Sequence, residues 1–267
     1  MQPLTLLGAA LLGAGAAAAT ASAHTPYLAP SDFAPRAGQT VALDAAFAET
    51  FFVPEAAFDD SRFAITRPDG SAAVPDAVQV MKTRTVAEYT LPAGNGTYRL
   101  STGPRLGALF RTWEIDGKRE SSRNASAKIP TGAKVIADFQ SLTLAETYIS
   151  VGAPDRAALA ARGKGLEFVP ITHPDDLYVG EAFEFVVQYD GKPLADQKIE
   201  VTEAVWTSDR TPRVDTLATD ADGHARLELE QAGTFVALAR HRTPAPAGAA
   251  VAEYSHSYTL TFRVLNP

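Results

Sequence analysis

The feature that most constrains this chain is a two-residue alternation of apolar and polar side chains, repeated in short runs along most of its length. In "VALDAAF", Val41, Leu43, Ala45 and Phe47 share one face. "GTYRLS" sets Tyr98 and Leu100 against Thr97 and Arg99, and "EAFEFVVQYDG" places Phe183, Phe185, Val187 and Tyr189 at period two. "HARLELE" alternates Ala225, Leu227 and Leu229 with Arg226, Glu228 and Glu230. "SYTLTFRV" sets Tyr258, Leu260, Phe262 and Val264 inward, with Thr259, Thr261 and Arg263 outward. Successive strand side chains point to opposite faces, so this pattern predicts strands with one face on a core and the other in water. The runs are separated by "PDGS" (68–71), "PAGNGT" (92–97), "DGK" (190–192) and "DADGH" (220–224), which supply residues suited to positive φ and predict hairpins. Many short strands joined by such turns predict an all-β chain folded as β-sandwiches.

One segment departs from the pattern. "PDRAALAARGKG", residues 154–165, opens on proline, is filled with alanine and closes on glycine. It predicts a linker or short helix over 153–165, separating an N-terminal β-sandwich domain (24–152) from a C-terminal one (166–267). The polar stretch "GKRESSRNASAKIPTG", residues 117–132, is expected to be an exposed loop of the first domain.

Residues 1–23, "MQPLTLLGAALLGAGAAAATASA", carry an apolar centre and end in the small-x-small triplet Ala21-Ser22-Ala23. That is the pattern of a secretory signal peptide cleaved after Ala23. Its apolar part is short and rich in alanine and glycine, below the ~20 residues of a spanning helix. The expectation is a periplasmic or secreted protein, with no stable membrane insertion after cleavage. The chain has no cysteine, so packing alone must hold the fold, and thiolate metal sites and cysteine nucleophiles are excluded. A net charge of −7 argues against nucleic acid as a partner, because phosphate binding needs a basic surface.

Three phrases of the second half, "GKGLEFVPITHPDDLYVGEAFEFVVQYDGKPLADQKIEV", "TLATDADGHARLELEQAGTFVALARHR" and "YSHSYTLTFRV", resemble the DUF4198 family of exported bacterial proteins. "AHTPYL", "PRAGQTVAL" and "YTLPAGNGTYRLSTG" in the first half agree with it. The resemblance implies a periplasmic protein with β-sandwich domains, and some members of the family are associated with nickel or cobalt uptake. The second domain is also similar to transthyretin-like and Cna-B-like modules, with Asp196 where those modules place a second glycine.

Cleavage after Ala23 would make His24 the amino-terminal residue, so its free amine and imidazole could chelate one metal ion together. Imidazole nitrogen suits nickel, cobalt, copper or zinc. Pro26 at the third position excludes the square-planar site built on backbone amides. A one-residue chelate needs further ligands. His173 lies in "THPDD" beside Asp175 and Asp176, although Asp after Pro is also an ordinary turn signal. His241 and His256 lie near the ends of C-terminal strands that adjacent pairing could bring together. His224 follows the Asp-Gly turn and is expected to be an exposed turn residue.

Other motifs read as structure. If Asp220 and Asp222 are placed at the third and fifth positions of a calcium loop, Ala218 and Leu229 occupy the two positions that require acids. Phe51, Phe52, Phe58 and Phe63 could line a ligand groove, but are expected in the core or over the open end of a sandwich, and Trp113 and Trp206 fit either core packing or a ligand platform. No Gly-x-Ser-x-Gly elbow or phosphate loop occurs, and the acidic residues look scattered over turns.

The expectation is therefore a non-catalytic periplasmic accessory or binding protein for nickel, cobalt or copper, working with a metal-uptake membrane protein. The candidate ligands are His24, His173, His241 and His256. The alternative is a metal-free β-sandwich interaction module for a protein, glycan or envelope component. A copper oxidase with a histidine brace would require a second histidine facing His24.

Overall fold

A computed structural model describes residues 24–267, so the proposed leader lies outside the described residues. The chain begins with β1 (Thr25–Pro30), β2 (Thr40–Ala48), β3 (Ala56–Ala57), β4 (Ala64–Thr66), β5 (Ala72–Ala73), β6 (Ala77–Val80), β7 (Thr85–Thr90) and β8 (Gly96–Ser101). β9 (Arg105–Ile115), β10 (Lys118–Ser122) and the long β11 (Lys134–Val151) follow, and a 3-10 turn occupies Ala157–Leu159. The second half holds β12 (Leu166–Pro170), β13 (Ala182–Tyr189), β14 (Lys192–Pro193), β15 (Lys198–Glu203) and β16 (Val214–Ala218). It ends with β17 (His224–Glu228), β18 (Gly233–Pro244) and β19 (Glu253–Val264).

Among the described residues these strands form three sheets. The first runs β1-β2-β7-β6, with β3 beside β2. The central sheet has ten strands, β16-β15-β18-β19-β11-β8-β4-β5, with the β9–β10 hairpin also on β11. The third contains β12, β13, β14 and β17. The two halves meet inside the central sheet, where β11 and β19 pair in parallel from Phe139↔Glu253 to Thr147↔Thr261. The fold is all-β. The first sheet packs on one face of the central sheet and the third sheet packs on its opposite face, giving two sandwiches with a shared layer.

The alternation predicted from sequence builds both cores. Leu28, Val41, Leu43 and Ala45 of the first sheet pack with Tyr98, Leu100, Ala145 and Ile149 of the central sheet. On the other side Phe168, Phe183, Phe185 and Val187 pack with Leu144, Tyr148, Tyr258, Leu260 and Phe262. β11 thus sends alternate residues into opposite cores, Ala145 and Ile149 into one and Leu144 and Tyr148 into the other. A smaller cluster joins Tyr27, Ala29, Ala46 and Phe51 to Ala204 and Val236 of the second half. Reciprocal bonds fix the same contact: Phe52 N–H donates to Val205 C=O at 2.9 Å, and Val205 N–H to Phe51 C=O at 2.8 Å.

Several expectations are corrected. Thr259 and Thr261 are fully buried rather than outward, because the face of β19 opposite Phe262 lies under β1 and the first sheet. The turns at 92–97 and 220–224 are not hairpins: β7 and β8, and likewise β16 and β17, belong to different sheets. The "PDGS" and "DGK" turns do close hairpins, β4–β5 and β13–β14. At the latter, Asp190 and Gly191 take φ of 48° and 74°, the positive values that a two-residue hairpin turn requires. The stretch 117–132 begins as strand β10 and becomes an exposed loop only afterwards. Phe51, Phe58 and Phe63 are core residues, as is Trp113, whereas Trp206 is 70% exposed and packs edge-on against Phe52.

Gly223 shows what a sheet-crossing turn demands. Its φ is +74°, and a Cβ there would lie 2.7 Å from the Val187 carbonyl oxygen and 2.9 Å from Pro193. Gly223→Ala is expected to destabilise the fold by at least ~1 kcal/mol through strain at positive φ plus this clash. Urea unfolding of the two proteins measures the difference.

Candidate functional site

A cleft of about 370 Å³ opens at the seam between the two sandwiches. β11 supplies Leu142 and Leu144, and Pro104 closes one side. The connection between the halves contributes Arg162, Lys164 and Gly165, β12 begins it with Leu166, and β19 adds His256 and Ser257. The walls are largely aliphatic, with cationic and imidazole groups at intervals. This is the usual make-up of a small-ligand site, in which apolar surface binds and a few polar atoms orient.

Beneath the cleft lies a buried ionic network. The Glu146 and Glu167 side chains are both 2% exposed, and Arg162 bridges them, at 3.2 Å from Glu146 Oε1 and 3.3 Å from Glu167 Oε2. Tyr258 donates its hydroxyl hydrogen to Glu146 Oε2 at 2.7 Å. Glu167 accepts from the backbone N–H groups of Arg162 (2.9 Å) and Gly163 (2.8 Å) and from Gln188 Nε2 (2.8 Å). Burial pushes the Glu167 pKa up, but these bonds and the Arg162 charge outweigh it, and the net shift is downward. Burial, with the nearby Glu146 carboxylate, raises the Tyr258 hydroxyl well above its ordinary range. The network ties the connection to β11 and β12, which fixes the position of the cleft's cationic wall.

The structure brings together two of the four candidate ligands. His241 and His256 stand directly opposite each other on the antiparallel β18–β19 ladder, a placement that puts Cβ atoms about 5 Å apart. The Tyr189 ring lies 5.2 Å from His241 and 4.9 Å from His256. His256 Nε2 is 3.0 Å from the Thr243 hydroxyl and 3.4 Å from the Tyr189 hydroxyl. His256 Nδ1 is buried and has no hydrogen-bond partner. Burial lowers the pKa of both imidazoles; for His256 the His241 charge lowers it further and Asp190 opposes the shift. Both rings are therefore neutral at pH 7, the form that donates to a metal.

The other candidates lie elsewhere. His24 Nε2 is 2.8 Å from Glu55 Oε2 on an exposed surface. His173 is engaged at both nitrogens. Nδ1 accepts the Asp175 N–H at 3.1 Å, which leaves Nε2 to donate to the Asp155 carbonyl at 2.8 Å, with the Thr97 hydroxyl at 3.1 Å. That arrangement clamps the start of the connection to β8. Asp175 is half-buried, and desolvation raises its pKa. His224 lies at its turn, 3.8 Å from both Glu184 and Asp220. Among the described residues, no group of three or more His, Asp or Glu side chains is arranged to hold a metal ion.

Sequence reasoning missed the Glu146–Arg162–Glu167 network and took the acids as scattered over turns. The signal was present: Glu146 interrupts the apolar run "LTLAETYISV", and Glu167 sits inside "GLEFVP". A carboxylate within a strand buried on both faces demands a cation or several donors.

A family model described as "Domain of unknown function (DUF4198)" matches residues 21–243, and the chain belongs to that family. No curated protein matches. Among solved structures, the D0-D1 domain of intimin is 13% identical, covering 88% of this chain and 96% of that one at a TM-score of 0.21. The Yersinia pseudotuberculosis adhesin InvE is 14% identical over 90% of this chain and 60% of that one, at a TM-score of 0.24. Three N-terminal domains of the bacteriophage RB49 outer capsid protein Hoc are 10% identical, covering 91% of this chain and 100% of that one, at a TM-score of 0.23. Likeness at this level carries no argument; the sandwich assignment rests on the sheets themselves.

Two outcomes are expected of the buried network. Arg162→Met leaves two buried carboxylates without their cation and should cost about 3–5 kcal/mol at pH 7, read by urea unfolding. Because the folded pKa of Glu167 is depressed, its contribution is present above the ordinary value of 4.5 and is lost as pH falls through the lower folded value. Glu167→Gln should therefore be less stable at pH 7 and show a shallower loss of stability below pH 4.5.

Proposed function

We propose that this DUF4198 protein is a non-catalytic periplasmic binding protein that holds a transition-metal ion, nickel, cobalt or copper, for uptake or handling, and that it passes the ion to a membrane partner. The observation that carries this reading is the pairing of His241 and His256 across β18 and β19, with His256 also lining the cleft. Two neutral imidazoles form a donor set suited to copper, nickel or cobalt. They leave further coordination positions to water or to a ligand in the cleft, which suits reversible holding better than permanent retention. The cleft gives the bound ion a route to solvent. The leader pattern of residues 1–23 supports export; among the described residues, no helix is long and apolar enough to cross a membrane.

The second reading is a metal-free interaction module. Its partner would be a protein, glycan or envelope component, and it is supported by the aliphatic walls of the cleft, which suit an apolar group of such a partner.

Calorimetric titration with Cu²⁺ and Ni²⁺ tests the first reading. His241→Ala and His256→Ala should each weaken binding at least about tenfold, which is ~1.4 kcal/mol, whereas His173→Ala should leave affinity unchanged. Both imidazole pKa values are depressed below 6.5, so affinity should persist below that pH and fall only when the rings protonate. Wild-type protein that binds neither ion, or binding that survives both substitutions, would give the case to the second reading.

A further inference from the structure

We propose that the free edge of β6 is a self-pairing surface whose partner is a second copy of this chain. The first sheet ends at β6, and all four of its residues are exposed. Four large apolar side chains crowd this one stretch: Val74 is 69% exposed, Val78 48%, Val80 49% and Met81 44%. A strand edge of this kind presents backbone donors and acceptors beside apolar side chains. Pro75 precedes β6 and no proline lies within it; the Val80 carbonyl accepts from Gln79 Nε2 at 3.2 Å, a bond that pairing would replace.

The backbone of β6 sets which groups face outward. Met81 N–H donates inward to the Arg84 carbonyl at 2.9 Å, next to the pairs Val80↔Thr85 and Val78↔Ala87. In an antiparallel ladder the bonding direction alternates residue by residue, so the N–H and C=O of Val78 and Val80 point away from the sheet. Two β6 strands related by a two-fold axis through Gln79 place Val78 of one copy opposite Val80 of the other, with both outward-facing sets of backbone groups in register.

Charge selects this register. The same two-fold brings Asp76 of one copy towards Lys82 of the other, twice, because an acid directly precedes the strand and a base follows it in the turn. The Asp76 Oδ2 accepts the Thr90 N–H of β7 at 2.6 Å, which leaves Oδ1 for the pair across the edge. Lys82 is exposed and reaches from the turn. A slip of one residue removes both ion pairs and turns the backbone groups out of phase. Val78 and Val80 lie on the same face as Thr85 and Ala87, so pairing extends that apolar face across the junction.

Sedimentation equilibrium of the purified chain tests the proposal. The wild type should form a reversible dimer. Lys82→Asp, which replaces two attractive contacts by two repulsive ones, should weaken it by about tenfold. The double variant Asp76→Lys with Lys82→Asp should recover most of the lost affinity, a result that no simple loss of folding reproduces. Val80→Pro removes an outward donor without touching the β6–β7 bonds and should abolish the dimer. A wild-type chain that stays monomeric, including one that takes up an added strand peptide instead, overturns the proposal. So does a dimer unaffected by Val80→Pro, or a double variant no tighter than Lys82→Asp alone.

Discussion

The structure depends on the parallel ladder between β11 and β19. Each of these strands belongs to a different half of the chain, and through them the two sandwiches acquire a common sheet. Shared membership forces both strands to be buried on two faces. Side chains that would otherwise alternate between core and water must then satisfy two cores at once. Leu144 and Tyr148 serve one, Ala145 and Ile149 the other, and the threonines of β19 fill the tight space under β1. Threonine has the volume of valine, so it fits that space. The hydroxyl of Thr147 on β11 donates to the Thr261 carbonyl at 2.9 Å, whereas the hydroxyls of Thr259 and Thr261 themselves are buried with no hydrogen-bond partner.

The same constraint accounts for the ionic network. Glu146 enters the seam on β11, where its side chain is buried, and Arg162 arrives on the connection that must pass over it. Two carboxylates share one guanidinium, and the balance comes from the Tyr258 hydroxyl, Gln188 and two backbone N–H groups. Satisfied in this way, a buried charge cluster fixes geometry more than it adds stability. Its consequence lies nearby, since the connection carrying Arg162 also supplies Lys164 and Gly165 to the cleft, and Tyr258 is two residues from His256. Substitutions in the network therefore bear on the shape of the cleft as well as on folding.

Much of this was legible in the sequence, and the boundary of legibility has a physical cause. Alternation identifies strands and their core faces because burial of one face is a local property: Val41, Leu43, Phe183, Phe185, Leu260 and Phe262 all face cores. It gives no information about which strands become neighbours. A turn such as "DADGH" has the same composition whether it closes a hairpin or crosses between sheets, so 220–224 was misassigned while 190–192 was not. Thr259 and Thr261 read as solvent-facing because their covering layer is β1, far away in sequence. At the site, His241 and His256 were open to suspicion as strand-end residues, but their opposition needs the register of β18 on β19. Glu146 and Glu167 carried a signal in their apolar flanks that was not read as such.

The long-range ladder also orders events in time. Thr147 and Thr261 are 114 residues apart, so the strand that completes the central sheet leaves the ribosome well after the strand it must join. Until it does, β11 has one open flank and the floor of the cleft has no second wall. Closing so long a loop delays the contacts that reward it. The first half must wait in an unfinished state with an exposed apolar strand, which is when chains of this kind are open to aggregation or to chaperone capture. The cleft thus forms late and all at once, as a property of the finished seam and of neither half by itself.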